Sequence, residues 1–468
     1  MNIVSLRTSD KNSEIIMPTI PQKSNRGQLK SKEELSILMQ NILTSARLQG
    51  ASDACVSVNH DCGFSVDVRM GEVETVAFSE DNGISVVVYH GSRKGSASST
   101  DRSAAAIEAM VKAAIDIAHV SAADSCFGLP DKDLMSNDYP DLDLCHSWSI
   151  TPEEAIDLAC RCEAQALAMD KRISNSDGVN LSTYTFCHGY ADSHGFLGVV
   201  DSSRHSISCS LIASEGGGMQ RDYDYTTARH AQNLMSIELL ASSAVKRAVS
   251  RLGAKKLKTQ TVPVLFSSRI SSGLFSSFIS AISGSNLYRK NSFLLDSIGQ
   301  SLFPKTLRIY DQPHIIGGLG SSPFDGEGLV TRNNVWVEGG QICQYALSSY
   351  SARKLGLKTT ASSGGVFNLT IDPTAGDLQS LIKTMGTGLL VTELMGQGVN
   401  ILTGDYSRGA SGFWVENGEI QYPVEEITIA GNLKEMFQGI IAVGNDVNPN
   451  IATRCGSVLI EKMMVGGE

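Results

Sequence analysis

From about residue 301 to the C-terminus, short apolar stretches alternate with glycine-bearing turns, and this restricts the last third of the chain to a β-rich structure with few helices. Segments 334–338, 341–347, 388–395, 412–416 and 419–422 read as strands, and the ENGE run at 416–419 reads as a hairpin turn between the last two. The 44 glycines concentrate here while prolines are sparse, 12 in all, which predicts many tight turns. Segment 262–266 is a short apolar strand that contains Pro263. Proline donates no N–H to a ladder, so an edge position is expected. Segment 272–283 is a serine-rich helix candidate.

Upstream, helical and strand patterns mix. Ser31 and Glu34 form an S-x-x-E capping box ahead of Leu35, Leu38, Met39, Ile42 and Ala46 at helical spacing. Strand candidates follow at 55–60, 64–70 and 84–89, with hairpin turns expected at 69–72 (RMGE) and 81–83 (DNG). Asp101 is a candidate cap for an alanine-rich helix over 103–119. An irregular connector spans about 120–150. A helix then starts at Thr151 with proline in its first turn, strands are expected at 180–187, 195–201 and 206–214, and a helix over 236–252. The fold class is α+β: an N-terminal mixed α/β domain with mainly antiparallel sheet and a β-rich C-terminal domain. The expected division is a disordered extension at 1–28, an N-terminal domain at 29–150, a middle region at 151–258 and a C-terminal domain at 259–468.

Composition narrows the function classes. With 42% hydrophobic and 19% charged residues, 468 residues suit a chain with a sizeable core and two or three domains. The formal net charge of −10 and the lack of a long basic run argue against nucleic-acid binding. No run reaches the ~18 apolar residues needed to span a bilayer, and no apolar leader opens the chain, so a soluble cytoplasmic protein is expected. The ten cysteines include no CxxC pair and read as reduced thiols.

None of the usual catalytic motifs is present. The nine histidines include no pair four or five residues apart, so H-E-x-x-H is missing. A G-x-S-x-G elbow and a Walker A loop are missing too, and the glycines of 317–320 lack the strand and helix context of a dinucleotide site. Asp325, Glu327, Glu393 and Asp405 are carboxylates in glycine-rich loops; they suit either cation or acid–base chemistry or simple turn capping.

Several stretches of the C-terminal third together carry a resemblance: SNLYRKNSFLLDS (285–297), SSYSARKLG (348–356), TELMGQG (392–398), GDYSRGASGFWVENGEIQYP (404–423), ITIAGNL (427–433), VGND (443–446) and CGS (455–457). In order and spacing they resemble the TldD/PmbA peptidase family, on its TldE (PmbA) side. Weaker similarity, including VRMGE at 68–72, continues upstream to about residue 25. The resemblance implies a heterodimeric zinc metallopeptidase of the cytosol that cuts small or unfolded peptides. Its associations include maturation of a microcin precursor, antitoxin degradation and modulation of DNA gyrase. The TldD type carries H-E-x-x-x-H on a helix and a distant cysteine ligand. Here the corresponding positions are Ser276, Ser277 and Ala281, while Cys455 stands where the cysteine ligand belongs. Serine and alanine supply neither zinc ligands nor a base, and one thiolate does not hold zinc alone.

The resemblance therefore implies a chain with no cofactor of its own, the zinc being expected in a TldD-like partner subunit. This chain would complete a peptide cavity, and a homodimer is an option when it is isolated. Candidates for cavity wall or partner contact are Arg289, Lys290, Glu393, Gly396, Gly404, Asp405, Tyr406 and Arg408. Two alternatives stand beside this: a non-proteolytic binding protein that regulates DNA gyrase or a toxin–antitoxin system, and a homodimeric hydrolase with a serine nucleophile within 276–285.

Overall fold

The computed structural model describes residues 31–467, so the extension expected at 1–28 lies outside it. The chain forms two compact units: residues up to Leu129 with Leu144–Val249, and Pro130–Asp143 with residues from Ser250 onward. No described helix is long and apolar enough to cross a membrane.

The first unit runs α1 (Lys32–Leu48), β1 (Asp53–Arg69), β2 (Glu72–His90), β3 (Arg93–Ser99), α2 (Ala104–Val120), α3 (Pro152–Met169), β4 (Ile173–Asp192), β5 (Leu197–Glu215), β6 (Gly218–Ala228) and α4 (Ile237–Ser250). The capping boxes that start α1 and α3 are both formed; for α1, Ser31 Oγ accepts from Glu34 N at 3.1 Å and the Glu34 carboxylate accepts from Ser31 N at 3.3 Å. The cap of α2 is Ser103 rather than Asp101, whose carboxylate instead accepts the Ser103 N–H at 2.8 Å. All six strands are antiparallel, in the order β3-β2-β1-β4-β5-β6. Because β1 pairs with both β2 and β4, one sheet joins strands from either side of residue 150, and 31–129 shares one body with 144–249. Helices α1 and α2 cover the face bearing Val56, Val58, Val86 and Val88.

The expected turn at 81–83 does not form. Asp81, Asn82 and Gly83 stay extended inside β2, paired with Asp61, His60 and Asn59, so their backbone groups are spent on the ladder. The reversal lies at Met70-Gly71, where φ values of 52° and 77° match the left-handed pair of a tight hairpin turn.

The second unit runs β7 (Gln260–Phe266), α5 (Ser272–Ala281), α6 (Gly284–Tyr288), β8 (Ile309–Asp311), β9 (Asn334–Glu338), β10 (Gln341–Ile342), α7 (Ser349–Leu355), β11 (Leu369–Ile371), α8 (Leu378–Met385), β12 (Gly388–Met395), β13 (Asp405–Glu416), β14 (Glu419–Asn432), α9 (Leu433–Gln438), β15 (Ile440–Val443) and β16 (Val458–Gly466). A small sheet has the order β10-β9-β8-β11. The larger has the order β14-β13-β12-β7-β16-β15, and β14 also pairs with β16, so five strands close into a barrel. Val264, Phe266, Val391, Tyr406, Ile429 and Val465 belong to one core together with Leu274, Phe275 and Phe278 of α5. Leu265, Leu390 and Leu459, on the opposite face of their strands, pack with α8.

The expectation of an edge position for 262–266 is overturned. β7 lies between β12 and β16. Pro263 is tolerated there because β12 pairs only from Val264 onward and β16 shifts register between Ile460 and Met463, opposite the proline, so no ladder bond needs its missing N–H.

Candidate functional site

Helix α5 carries the positions where the family's metal helix is expected. Ser276 is exposed, and its hydroxyl donates to Ser272 O at 3.0 Å; the Ser277 hydroxyl donates to Gly273 O at 3.0 Å. Ala281 is fully buried in the core. Five residues turn a helix by about 140°, which is why 276 and 281 lie on different faces. Ser283 likewise donates to a backbone carbonyl, that of Ser280, rather than to a base.

Cys455 lies beside the residue that precedes α5. The Ser271 hydroxyl donates to Gly456 O at 2.8 Å and lies 3.5 Å from Cys455 Sγ. Burial pushes this thiol up to about 12, against the opposing hydrogen bond from Ser271. Two short motifs fix it in place. Asp446 accepts the Ser457 N–H at 2.9 Å and the Ser457 hydroxyl at 2.7 Å, and Ser457 Oγ in turn accepts the Ser268 N–H at 3.0 Å.

Most of the remaining candidates lie on β12, β13 and the stretch that joins them. Beyond β12 the chain folds back along β13, with Ser407 N–H donating to Gly398 O at 2.7 Å and Val399 bridging Tyr406. Phe293 N–H donates to Ile401 O at 2.9 Å, which ties the stretch containing Arg289 and Lys290 to this loop. Gly396 is exposed with φ 77°. Gly404, with φ 82°, packs against the Asn432 side chain. Asp405 accepts from Thr403 Oγ1 at 2.7 Å and organises the turn. Tyr406 points into the core, its ring edge-on to Phe266 at 6.5 Å, and burial pushes its phenol up to about 12. Arg408 follows two residues on, beside that phenol, with its Nε buried and without a hydrogen-bond partner among the described residues.

Glu393 has a partner that the sequence did not point to. Its Oε2 lies 2.6 Å from the Arg251 guanidinium and accepts from Ser411 Oγ at 3.0 Å, and Arg251 also donates to Ser411 Oγ at 3.1 Å. Arg251 lies outside every motif, and only folding brings it to β12. Asp325 and Glu327 take the turn-capping role. Asp325 accepts the N–H groups of Glu327, Leu329 and Ser363, and Glu327 accepts that of Ser349. Burial, reinforced by the Glu327 charge, raises Asp325 to about 7.

Models of the PmbA/TldA metallopeptidase domain 1, central domain and C-terminal domain match residues 56–118, 145–252 and 259–467. The chain belongs to the PmbA/TldD metallopeptidase family. Metalloprotease PmbA of Escherichia coli O157:H7 is 48% identical over 92% of this chain and 96% of that protein. A PmbA homolog of Haemophilus influenzae is 44% identical over 96% and 99%. A TldD homolog of Buchnera aphidicola is 24% identical over 54% and 58%. A crystal structure from Bacteroides thetaiotaomicron, described as a modulator of DNA gyrase, superposes with a TM-score of 0.87 at 28% identity, covering 93% of this chain and 99% of its own. TldE from Thermococcus kodakarensis shares the fold, with a TM-score of 0.81 at 20% identity over 92% and 100%.

A metallopeptidase family implies a metal, and the residues at the motif positions of this PmbA/TldD chain do not fit one. Two serines satisfied by their own helix, a core alanine and a sealed thiol offer no converging donor set. Among the described residues, no group of three or more His, Cys, Asp or Glu is placed to hold a metal ion.

Proposed function

We propose that this chain is the subunit of a two-chain zinc peptidase that holds no zinc itself and completes the peptide cavity around the zinc site of a TldD-like partner. The observation that carries this reading is the α5 surface, where both serine hydroxyls turn back onto their own helix and the third position is a core alanine. When bound in the partner, zinc supplies an activated water and polarises the scissile carbonyl. The role of this chain is to enclose and orient. The glycine-rich loop that folds back along β13 offers backbone for close approach to an extended peptide, a way of holding small or unfolded peptides without sequence preference. The working compartment is the cytosol.

The test is reconstitution. The chain purified alone should contain far less than one zinc per molecule and leave an unfolded peptide intact. Addition of a TldD-like chain should give a stable complex and chelator-sensitive cleavage. Stoichiometric zinc with hydrolysis in the isolated chain would overturn the reading.

A further inference from the structure

Helix α6 is only five residues long, and two cations follow it, Arg289 and Lys290. Both are exposed, and among the described residues neither belongs to an ion pair. Arg289 instead lies along Tyr288, with Nε donating to the phenol oxygen at 3.1 Å and the guanidinium 5.5 Å from the ring centre. Tyr288 meets Tyr350 of α7 edge to face at 5.5 Å, and Lys354 Nζ lies 5.6 Å from the Tyr350 ring. Two cations, Arg289 and Lys354, thus lie against two phenol rings, and the exposed Lys290 follows Arg289 in the chain, on a protein whose formal net charge is −10.

Lys290 has φ 57°, the left-handed conformation in which a residue with a side chain costs about 1 kcal/mol and which glycine adopts freely. A helix of five residues gives a cation at its end little dipole to complement. The backbone therefore favours glycine at 290, and the side chain present there is an ammonium.

We propose that Arg289 and Lys290, with the Tyr288–Tyr350 pair next to Arg289, form a binding site for the C-terminal carboxylate of an extended peptide. This deepens the peptidase-subunit reading, and rests on it for the class of ligand. A guanidinium and an ammonium adjacent in sequence suit one shared carboxylate, with charge-assisted hydrogen bonds from each. The phenol rings offer apolar area to the last side chain. The terminal carboxylate is the one anion that every peptide carries whatever its sequence, so it suits a cavity that holds peptides without sequence preference.

The experiment measures fluorescence anisotropy of the full chain alone with three dye-labelled peptides. One is a neutral unfolded peptide with a free C-terminus, the second is its C-terminal amide, and the third is an amide with internal glutamates. The free acid is expected to bind about tenfold more tightly than either amide. Lys290→Gly should melt at the same temperature or higher, and Arg289→Ala/Lys290→Gly should remove the preference. Equal binding of acid and amide, no binding of the acid, a glutamate-bearing amide that matches the acid, or a double variant that keeps the preference would each overturn the proposal. No partner or metal enters the measurement, so failure here leaves the zinc-free subunit reading to its own reconstitution test.

Discussion

The hydroxyl of Ser271 lies 3.5 Å from the sulfur of Cys455, and this contact joins the residue before α5 to a thiol that no solvent reaches. Cys455 should therefore be inert. At neutral pH a thiol reagent is expected to label the exposed Cys343 in the native protein and to reach Cys455 only after denaturation. Peptide mapping by mass spectrometry reads the order, and labelling of both at one rate would contradict the burial.

Arg251 anchors the strand end that carries Glu393. Its side chain is 15% exposed, whereas that of Glu393 is 42% exposed, so solvent screens part of the attraction. Arg251→Ala should destabilise the chain by about 1–2 kcal/mol in urea unfolding. The double variant with Glu393→Gln should cost less than the sum of the two single changes, because one interaction is removed twice.

Two glycines in one loop should respond differently to alanine. At Gly396 nothing lies within 4 Å of an added Cβ, so the cost is the left-handed φ alone, about 1 kcal/mol. At Gly398 the added carbon would sit 1.8 Å from Ser407 O, and backbone must move. Gly398→Ala should lower the melting temperature well beyond Gly396→Ala; equal shifts would mean that the loop does not hold this pairing with β13.

Asp325 gives a pH signature. Its folded pKa of about 7 lies above the ordinary 3.8, so the folded state binds the proton more tightly than the unfolded chain does. Its contribution to stability is therefore complete below about pH 4, is lost as pH rises toward 7, and is flat above that. The stability difference between wild type and Asp325→Asn should fall across that window. A difference that does not vary with pH would show that the carboxylate titrates normally.

Local signals were readable in the chain where neighbouring residues settle the outcome. Ser31 with Glu34, and Thr151 with its proline-led turn, fixed two helix starts, and Met70-Gly71 fixed a hairpin, because caps and tight turns are satisfied within four residues. The same reasoning failed at Asp81-Asn-Gly83 and at Pro263. There the deciding partners, β1 in one case and the β16 bulge in the other, lie far away in sequence.

The amino-acid sequence by itself determined the α+β class, the family and the presence of serine and alanine, which are not zinc ligands, at 276, 277 and 281, since residue type alone decides whether a donor exists. Only the tertiary structure decided that β14 closes a barrel onto β16, that Arg251 meets Glu393, and that Tyr288 meets Tyr350 beside Arg289. Those contacts join residues far apart along the chain, and packing of the whole core, not any local preference, brings them within reach.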